Sequence, residues 1–93
     1  MSKKEDFYLK LIESLEATTK FPSDYLYKFI VPAIGNKVVE IEDIFKGTST
    51  KISLKKSKTG KYISVSIKVN VNSSNEVILY YRKAEKIEGI ISL

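Results

Sequence analysis

One alternating segment, Ser57–Val71, constrains the fold most; it reads SKTGKYISVSIKVNV. In its second part an apolar side chain occupies every second position, and polar or tyrosyl side chains lie between them. The apolar positions are Ile63, Val65, Ile67, Val69 and Val71. Because successive side chains of a strand point to opposite faces, this pattern predicts a strand over Lys61–Val71 with one buried face. Gly60 can adopt positive φ, so Ser57–Gly60 predicts a hairpin turn before that strand.

Three segments have the signatures of helices. A capping box at Ser2–Glu5 precedes an apolar stripe and predicts an N-terminal helix from about Glu5 to Thr18. A second stripe has helical spacing and ends at Gly47, a residue that favours a helix C-terminus. This stripe consists of Ile34, Val38, Ile41 and Phe45. Another capping box, Ser73–Glu76, precedes a third stripe. The third stripe consists of Val77, Tyr80, Tyr81, Ala84 and Ile87.

Three further segments are typical of strands. Asp24–Val31 is rich in aromatic and β-branched residues, and the face that carries Tyr27 and Phe29 is expected to be buried. The other two strands are Thr48–Lys56, with Ile52 and Leu54 inward, and the short Ile90–Leu93. After the N-terminal helix, the predicted order is therefore strand, helix, strand, strand, helix, strand.

This βαββαβ order and right-handed crossovers fix the expected arrangement. We expect an α+β ferredoxin-like sandwich, in which an antiparallel four-stranded sheet of order 4-1-3-2 carries two helices on one face. Residues 1–20 are expected to form an extra helical extension and residues 21–93 the ferredoxin-like domain. The second sheet face stays uncovered unless the extra helix or a partner covers it.

The chain contains neither histidine nor cysteine. Histidine is the commonest general base and zinc ligand, and cysteine supplies thiolates, so zinc hydrolases and Ser-His or Cys-His enzymes are excluded. Glu40, Glu42 and Asp43 are close in sequence, but such positions diverge on a helix, so no metal site is expected. We expect no enzymatic activity and no cofactor. The lack of a long apolar run or signal-peptide core predicts a cytoplasmic protein without membrane contact.

Positive charge is concentrated in one part of the chain. The net charge is +5, and no acidic residue lies between Asp43 and Glu76. The lysines of this interval are Lys46, Lys51, Lys55, Lys56, Lys58, Lys61 and Lys68. A patch of lysines attracts polyanions. A coding bias toward lysine would give the same pattern, and so would the protection of a sheet edge against aggregation.

Three stretches of the chain resemble a known family. Phe21–Ile30 (FPSDYLYKFI), Ser57–Val71 and Ile87–Leu93 (IEGIISL) resemble the YbeD-like family of small uncharacterised bacterial proteins. That family has a Phe-Pro before a strand and a Ser-x-x-Gly-x-Tyr-x-Ser hairpin, and the resemblance covers Phe21–Leu93. It implies a ferredoxin-like fold similar to that of ACT domains, which bind small effectors, often amino acids, in regulated metabolic enzymes. It implies no established enzymatic activity.

The first candidate site is the loop between the first strand and the following helix. The corresponding loop meets the ligand in ACT-like domains, and N–H groups at a helix start attract a small anion. The residues are Pro32, Ala33, Gly35, Asn36 and Lys37. No acid lies between Asp24 and Glu40, which argues against an amino acid held through its ammonium group. An ordinary connection between strand and helix is the alternative.

The second candidate site is the open sheet face with the lysine-rich hairpin. Its residues are Lys28, Lys51, Lys55, Lys58, Lys61, Lys68 and Tyr62. RNA-recognition domains use this face by stacking bases on aromatic residues of the two central strands. Ser64 and Ser66 occupy such positions here. Charge-driven polyanion binding is therefore the expectation for this face, rather than sequence-specific RNA recognition.

The leading interpretation is a small non-enzymatic regulatory or adaptor domain, which acts by protein contact or by binding a small anionic metabolite at the first loop. Leu26, Ile30 and the final Ile and Leu residues make one edge of the open face apolar, which is typical of a protein interface or a homodimer. The alternative is a nucleic-acid-associated protein that binds polyanions through the lysine-rich hairpin and open face.

Overall fold

The computed structural model describes residues 3–93, so Ser2 of the first predicted capping box lies outside the described residues. Within them the chain forms three helices and four strands in the predicted order. The helices are α1 (Lys3–Thr18), α2 (Lys37–Ile44) and α3 (Ser74–Ala84). The strands are β1 (Ser23–Pro32), β2 (Thr50–Lys56), β3 (Tyr62–Val71) and β4 (Ile91–Ser92).

The four strands form an antiparallel sheet of order β2-β3-β1-β4, which is the predicted order read from the opposite edge. β1 and β3 are central and pair along their whole length, with Tyr27 opposite Ile67 and Phe29 opposite Val65. β2 and β4 are the edge strands. The predicted ferredoxin-like α+β fold is thereby confirmed.

The hydrophobic core lies between this sheet and the helices. Tyr27, Phe29 and Val31 of β1 are fully buried, which confirms the buried face expected for this strand. The alternate positions of β3 that are buried with them are Val65, Ile67, Val69 and Val71. The Tyr27 hydroxyl donates to the Val77 carbonyl of α3 at 2.9 Å, so this buried polar group has a partner and ties the sheet to the helix.

The hairpin turn between β2 and β3 explains the spacing of its serine, glycine and tyrosine. Gly60 has a φ of +74° and donates its N–H to the Ser57 carbonyl at 3.0 Å. The Ser57 N–H donates to the Tyr62 carbonyl at 2.9 Å, and the Tyr62 N–H donates to Ser57 Oγ at 3.2 Å. These three residues therefore close the turn, and the motif has a structural reason that involves no ligand.

The second predicted capping box begins α3. Ser73 Oγ accepts the Glu76 N–H at 3.1 Å, and the Glu76 carboxylate accepts from the Asn72 amide at 3.4 Å. The predicted apolar stripe is buried on α3 and in the turn behind it: Val77, Tyr80, Tyr81, Ala84 and Ile87. The serine cap and the buried face are thus confirmed, whereas the Glu76 carboxylate accepts from the Asn72 side chain instead of completing the capping box at the Ser73 N–H.

Two predicted apolar positions differ from expectation. Ile34, which the helical stripe places inside the second helix, precedes α2 and is 82% exposed. That prediction is wrong because Gly35 has a φ of +83° and Asn36, at the N-cap position, has a non-helical backbone conformation, so helical geometry begins only at Lys37. Leu54 lies on the helical side of the sheet as predicted but is 55% exposed, because β2 is an edge strand.

The extra helix α1 lies against α3 in the helical layer. Tyr8 is buried, and its ring stacks on that of Tyr81 with 6.2 Å between centroids. Tyr81 in turn packs on Tyr27 of the sheet at 4.8 Å. Of the two alternatives for the second sheet face, the extra helix or a partner, α1 of the same chain therefore does not cover it. The division of the chain into residues 1–20 and 21–93 stays a prediction.

Candidate functional site

The uncovered side of the sheet, which we call the open face, is built by the outward positions of the strands. Lys51 lies opposite Lys68, and Ser53 lies opposite Ser66. On its other side, Ser66 is paired with Lys28 of β1. Because directly opposite side chains point to the same face, the middle of the open face is polar, with serines between lysines.

Four of the lysines predicted to bind polyanions share the open face: Lys28, Lys51, Lys55 and Lys68. A carboxylate stands beside one of them, because Lys68 Nζ lies 3.8 Å from Asp24 Oδ2. Asp24 Oδ1 also accepts from the Asn70 amide at 3.2 Å. Both members of the ion pair are more than half exposed, so solvent and salt screen their attraction. The open face therefore keeps an excess of positive charge.

The other predicted polyanion-binding residues lie at the hairpin end of the sheet. Lys58 is in the exposed turn, and Lys61 precedes β3, where its carbonyl accepts the Ala33 N–H at 2.9 Å. Tyr62 lies opposite Pro32 and is 47% exposed at the rim of the open face. Among the outward strand positions that the structure describes, Tyr62 is the sole aromatic residue. The centre of the face therefore has no ring on which a base could stack.

The β4 side of the open face is apolar. Leu26, Ile91 and Leu93 are exposed by 54%, 51% and 69%. Ile91 lies opposite Ile30, and the Leu93 N–H donates to the Lys28 carbonyl at 2.9 Å, which brings Leu93 beside Lys28. We call Leu26, Ile30, Ile91 and Leu93 the apolar strip. A depression of about 380 Å³ extends from the central serines of the open face to Leu93 of the apolar strip.

The structure separates the residues of the β1–α2 loop into two places. Pro32 and Ala33 line a cavity of about 390 Å³ beside the hairpin, together with Ile34, Gly60, Lys61 and Tyr62. Asn36 and Lys37 lie instead at the start of α2, where the Asn36 side chain makes no capping hydrogen bond. Lys37 Nζ lies 3.5 Å from Glu40 Oε2, so this ion pair partly neutralises the charge that Lys37 could offer to an anion. Gly35 separates the two places.

A second group of polar contacts, between α1 and α3, is not predicted from the sequence. The Arg82 guanidinium donates twice to the Glu5 carboxylate at 2.7 Å, and the Tyr8 hydroxyl donates to Glu85 at 2.7 Å. Burial and then the bond to Glu85 raise the pKa of Tyr8 to about 12. Arg82 is the one arginine of the chain, which marks it in the sequence as a residue with a special contact. Its partner Glu5 cannot be identified from the sequence, because it lies 77 residues away.

Residues 3–93 contain no group of histidine, cysteine or acidic side chains that could hold a metal ion. Among the helices of residues 3–93, none has the length and hydropathy of a membrane-spanning segment. The open face presents ammonium groups, hydroxyls, the Asp24 carboxylate, the Asn70 amide and the apolar strip, so it can interact by charge, by hydrogen bonds and by apolar contact.

Comparison with known proteins supports the fold and supplies the family. The crystal structure of the ACT domain from GTP pyrophosphokinase of Chlorobium tepidum superposes with a TM-score of 0.54 and covers 76% of this chain and 100% of that domain. The two sequences are 13% identical, so the likeness is one of fold.

No curated protein matches the chain. Residues 16–93 match DUF493, a family described as a protein of unknown function. YbeD belongs to the same family. The resemblance seen in the hairpin and flanking strands is thus confirmed, and the chain belongs to the DUF493 family.

Proposed function

We propose that this chain is a small non-enzymatic regulatory or adaptor domain, which acts by binding an acidic protein surface on its open face. The observation that carries the proposal is the apolar strip, which is exposed beside lysines on a sheet face that α1 leaves uncovered. Apolar surface bordered by charge is typical of an interface, where burial supplies affinity and charge supplies orientation.

The residues present favour binding over catalysis. Without histidine or cysteine, acid–base chemistry would need carboxylates and lysines that converge on one point. The Asp24 carboxylate on the open face is exposed and is shared between Lys68 and Asn70.

The solved ACT domain is part of GTP pyrophosphokinase, which gives this fold a precedent as a domain of an enzyme. A regulatory role for this chain is therefore proposed, with no ligand carried over from that protein.

Binding of a small anion at the β1–α2 loop is a second mode within the same proposal. The first N–H groups of α2 receive no side-chain cap from Asn36, which leaves them to water or an anion. Lys37 contributes less than expected, because Glu40 already pairs with it at 3.5 Å. We place protein contact ahead of this mode for that reason.

The test is affinity isolation from the native host followed by mass spectrometry, with the wild-type and Leu26→Glu chains compared. Leu26 is 54% exposed, so the new carboxylate changes the apolar strip without entering the core. The matched control is Leu79→Glu, which changes a leucine that is 48% exposed on α3. The proposal expects a protein that wild-type and Leu79→Glu retain and Leu26→Glu loses. An unchanged set of bound proteins, or none with any chain, contradicts it.

Polyanion binding is the second candidate function, and one observation favours it. Four lysines from three strands share the open face, as the strand register requires. Such a patch binds phosphates through charge alone and with little sequence preference. Since Tyr62 stands only at the rim, this candidate is limited to salt-sensitive association with nucleic acid.

A further inference from the structure

A groove of about 570 Å³ lies on the helical side of β4, between α1 and the end of α3. Its apolar walls are formed by Phe7, Tyr8, Tyr81 and Ile90. Phe7 is 58% exposed although its ring lies 5.8 Å from the buried ring of Tyr8. The volume is in the range of about 300–1,000 Å³ that is usual for sites taking a small molecule or a large side chain. The groove is thus an apolar recess separate from the open face.

The outer edge of β4 borders this groove with unpaired backbone. The Leu93 N–H points inward, because it donates to the Lys28 carbonyl of β1 at 2.9 Å. In an antiparallel pair, neighbouring residues point their backbone groups in opposite directions. The N–H and C=O of Ser92 therefore point outward, and Ser92 is one of the residues that line the groove. An extended antiparallel segment placed there would set one residue opposite Ser92, and the side chain of that residue would face the groove, because directly opposite side chains share a face.

The two edge strands of the sheet, β2 and β4, differ in how well each could pair with an added strand. β2 carries Lys51 and Lys55, so an antiparallel copy of β2 centred on Ser53 would set lysine against lysine. The β4 residues Ile91 and Ser92 carry no charge. On the open-face side, an added strand would also cover Ile91, which is 51% exposed. β4 is therefore the edge that has apolar contacts to offer on both faces.

Charge at the rim of the groove selects the chemistry of the added segment. Lys3 and Lys4 stand at the rim, and Glu85 is the acidic residue that lines it with them. Lys4 Nζ lies 3.5 Å from Glu85 Oε2, and Glu85 also accepts the Tyr8 hydroxyl. The rim therefore keeps a net positive charge and favours carboxylates over ammonium groups in an incoming segment.

We propose that β4 accepts an extended acidic segment of a partner protein as an added strand, with one aromatic or aliphatic side chain of that segment in the groove. Backbone pairing at Ser92 supplies the alignment, the wall between Phe7 and Tyr8 supplies the apolar contact, and Lys3 receives a flanking carboxylate. This binding goes beyond the proposed function, since it uses the outer edge of β4 and the groove on the helical side, and Ile91 is the one residue of the apolar strip that it covers.

The first experiment is a titration of the full-length, isotope-labelled chain with blocked synthetic peptides, followed by NMR. The probes are seven-residue peptides with Phe, Leu or Tyr at the centre. Valine occupies alternate positions on either side of the central residue, and glutamates stand at both ends. Amide shifts are expected at Phe7, Tyr8 and Ser92, and none at Lys51 or Lys55 of the opposite edge. N-methylation of the central residue itself removes the donor that an antiparallel strand would offer to the Ser92 carbonyl and should weaken binding about five-fold. Lysines in place of the glutamates should weaken it several-fold at low salt.

The second experiment separates the groove from the rest of α1. Phe7→Ala should weaken binding of the central-Phe peptide by at least about five-fold, as for other aromatic anchors. Leu9→Ala is the matched control, because Leu9 is 47% exposed on the same helix and does not line the groove. It should change affinity less than about two-fold. Since both side chains are exposed, the two variants are expected to keep the wild-type amide spectrum elsewhere.

Four results would overturn the proposal. The first is no shift at the groove with any peptide at millimolar concentration. The second is equal loss of affinity in Phe7→Ala and Leu9→Ala. The third is unchanged binding of the N-methylated peptide, which would exclude strand pairing at Ser92 as the mode of binding. The fourth is a dimer in sedimentation in which Ser92 is protected from hydrogen exchange in the absence of peptide, since a second copy would then fill the site.

Discussion

Arg82 and Glu5 face each other across the contact of α1 with α3, and both guanidinium–carboxylate distances are 2.7 Å. The same guanidinium lies 4.9 Å from the centre of the Tyr8 ring. The forked pair and the contact with the ring hold the first turns of α1 in place. Since this end of α1 forms one wall of the groove, the pair also helps to hold that wall in position.

Replacement of Glu5 tests this pair through pH. The hydrogen bonds from Arg82 lower the pKa of Glu5 below its ordinary value of 4.5. A lowered folded-state pKa stabilises the fold above the ordinary value, and that stabilisation is lost as pH falls through the folded-state pKa. Glu5→Gln should therefore unfold at lower urea than wild type at neutral pH, and the two midpoints should converge in acid. Glu13→Gln on the exposed side of α1 is the control. A gap that persists unchanged in acid would contradict the assignment.

Tyr8 should make the fold sensitive to alkali. Its pKa is raised to about 12, first by burial and then by the bond to Glu85, from an ordinary value of 10.0. The stabilisation is thus present below about pH 10 and is lost as pH rises toward about 12. In Tyr8→Phe the loss of stability over this range should be smaller than in wild type. Denaturant melts across the alkaline range measure this, and identical slopes for the two chains would refute the prediction.

The buried hydroxyl of Tyr27 should contribute to stability, while that of Tyr62 should not. Tyr27 is fully buried and donates to the Val77 carbonyl at 2.9 Å, whereas Tyr62 is 47% exposed. Tyr27→Phe removes this bond and is expected to lower the free energy of unfolding by about 1–2 kcal/mol. Tyr62→Phe is the matched control, with an expected change within about 0.5 kcal/mol. Equal changes in urea unfolding would show that the buried bond has no special role.

The sheet can be predicted from the sequence because its signals are local. Alternation has a period of two, and a shift of one residue would expose Ile67 and Val69 to water. The turn at Gly60 and the cap at Ser73 likewise depend on nearby residues alone. Helical periodicity is weaker, because it does not reveal the positive φ of Gly35, and so the stripe from Ile34 begins too early.

The candidate sites are predictable only in part, for a different physical reason. Strand alternation assigns Lys28 and Lys68 to the open face, but the nearby Asp24 carboxylate becomes visible only with the register between strands. The position of α1 depends on contacts between residues 77 apart in sequence, such as Tyr8 with Glu85. The groove combines the ends of the chain, so no local pattern identifies it.

Two glycines should differ in their tolerance of a side chain. Gly60 and Gly89 both have positive φ, at +74° and +80°. A Cβ at Gly60 would meet no atom within 4 Å, whereas one at Gly89 would lie 2.9 Å from Pro32 Cγ. Gly60→Ala should therefore cost about 1 kcal/mol from backbone conformation alone. Gly89→Ala should cost more, because Pro32 at the end of β1 must move. Thermal unfolding of both variants measures the difference, and an equal loss would contradict the contact with Pro32.

Salt dependence separates polyanion binding from protein contact at the open face. If its four lysines bind four phosphates of single-stranded DNA, affinity should fall about 50-fold when salt rises about four-fold. Lys51→Ser combined with Lys55→Ser should then reduce the salt slope by about half. The control is Lys10→Ser with Lys86→Ser, which removes equal charge from exposed positions outside the face. If the two double variants lose affinity equally, net charge alone attracts the DNA. The open face would then have no specific part in polyanion binding.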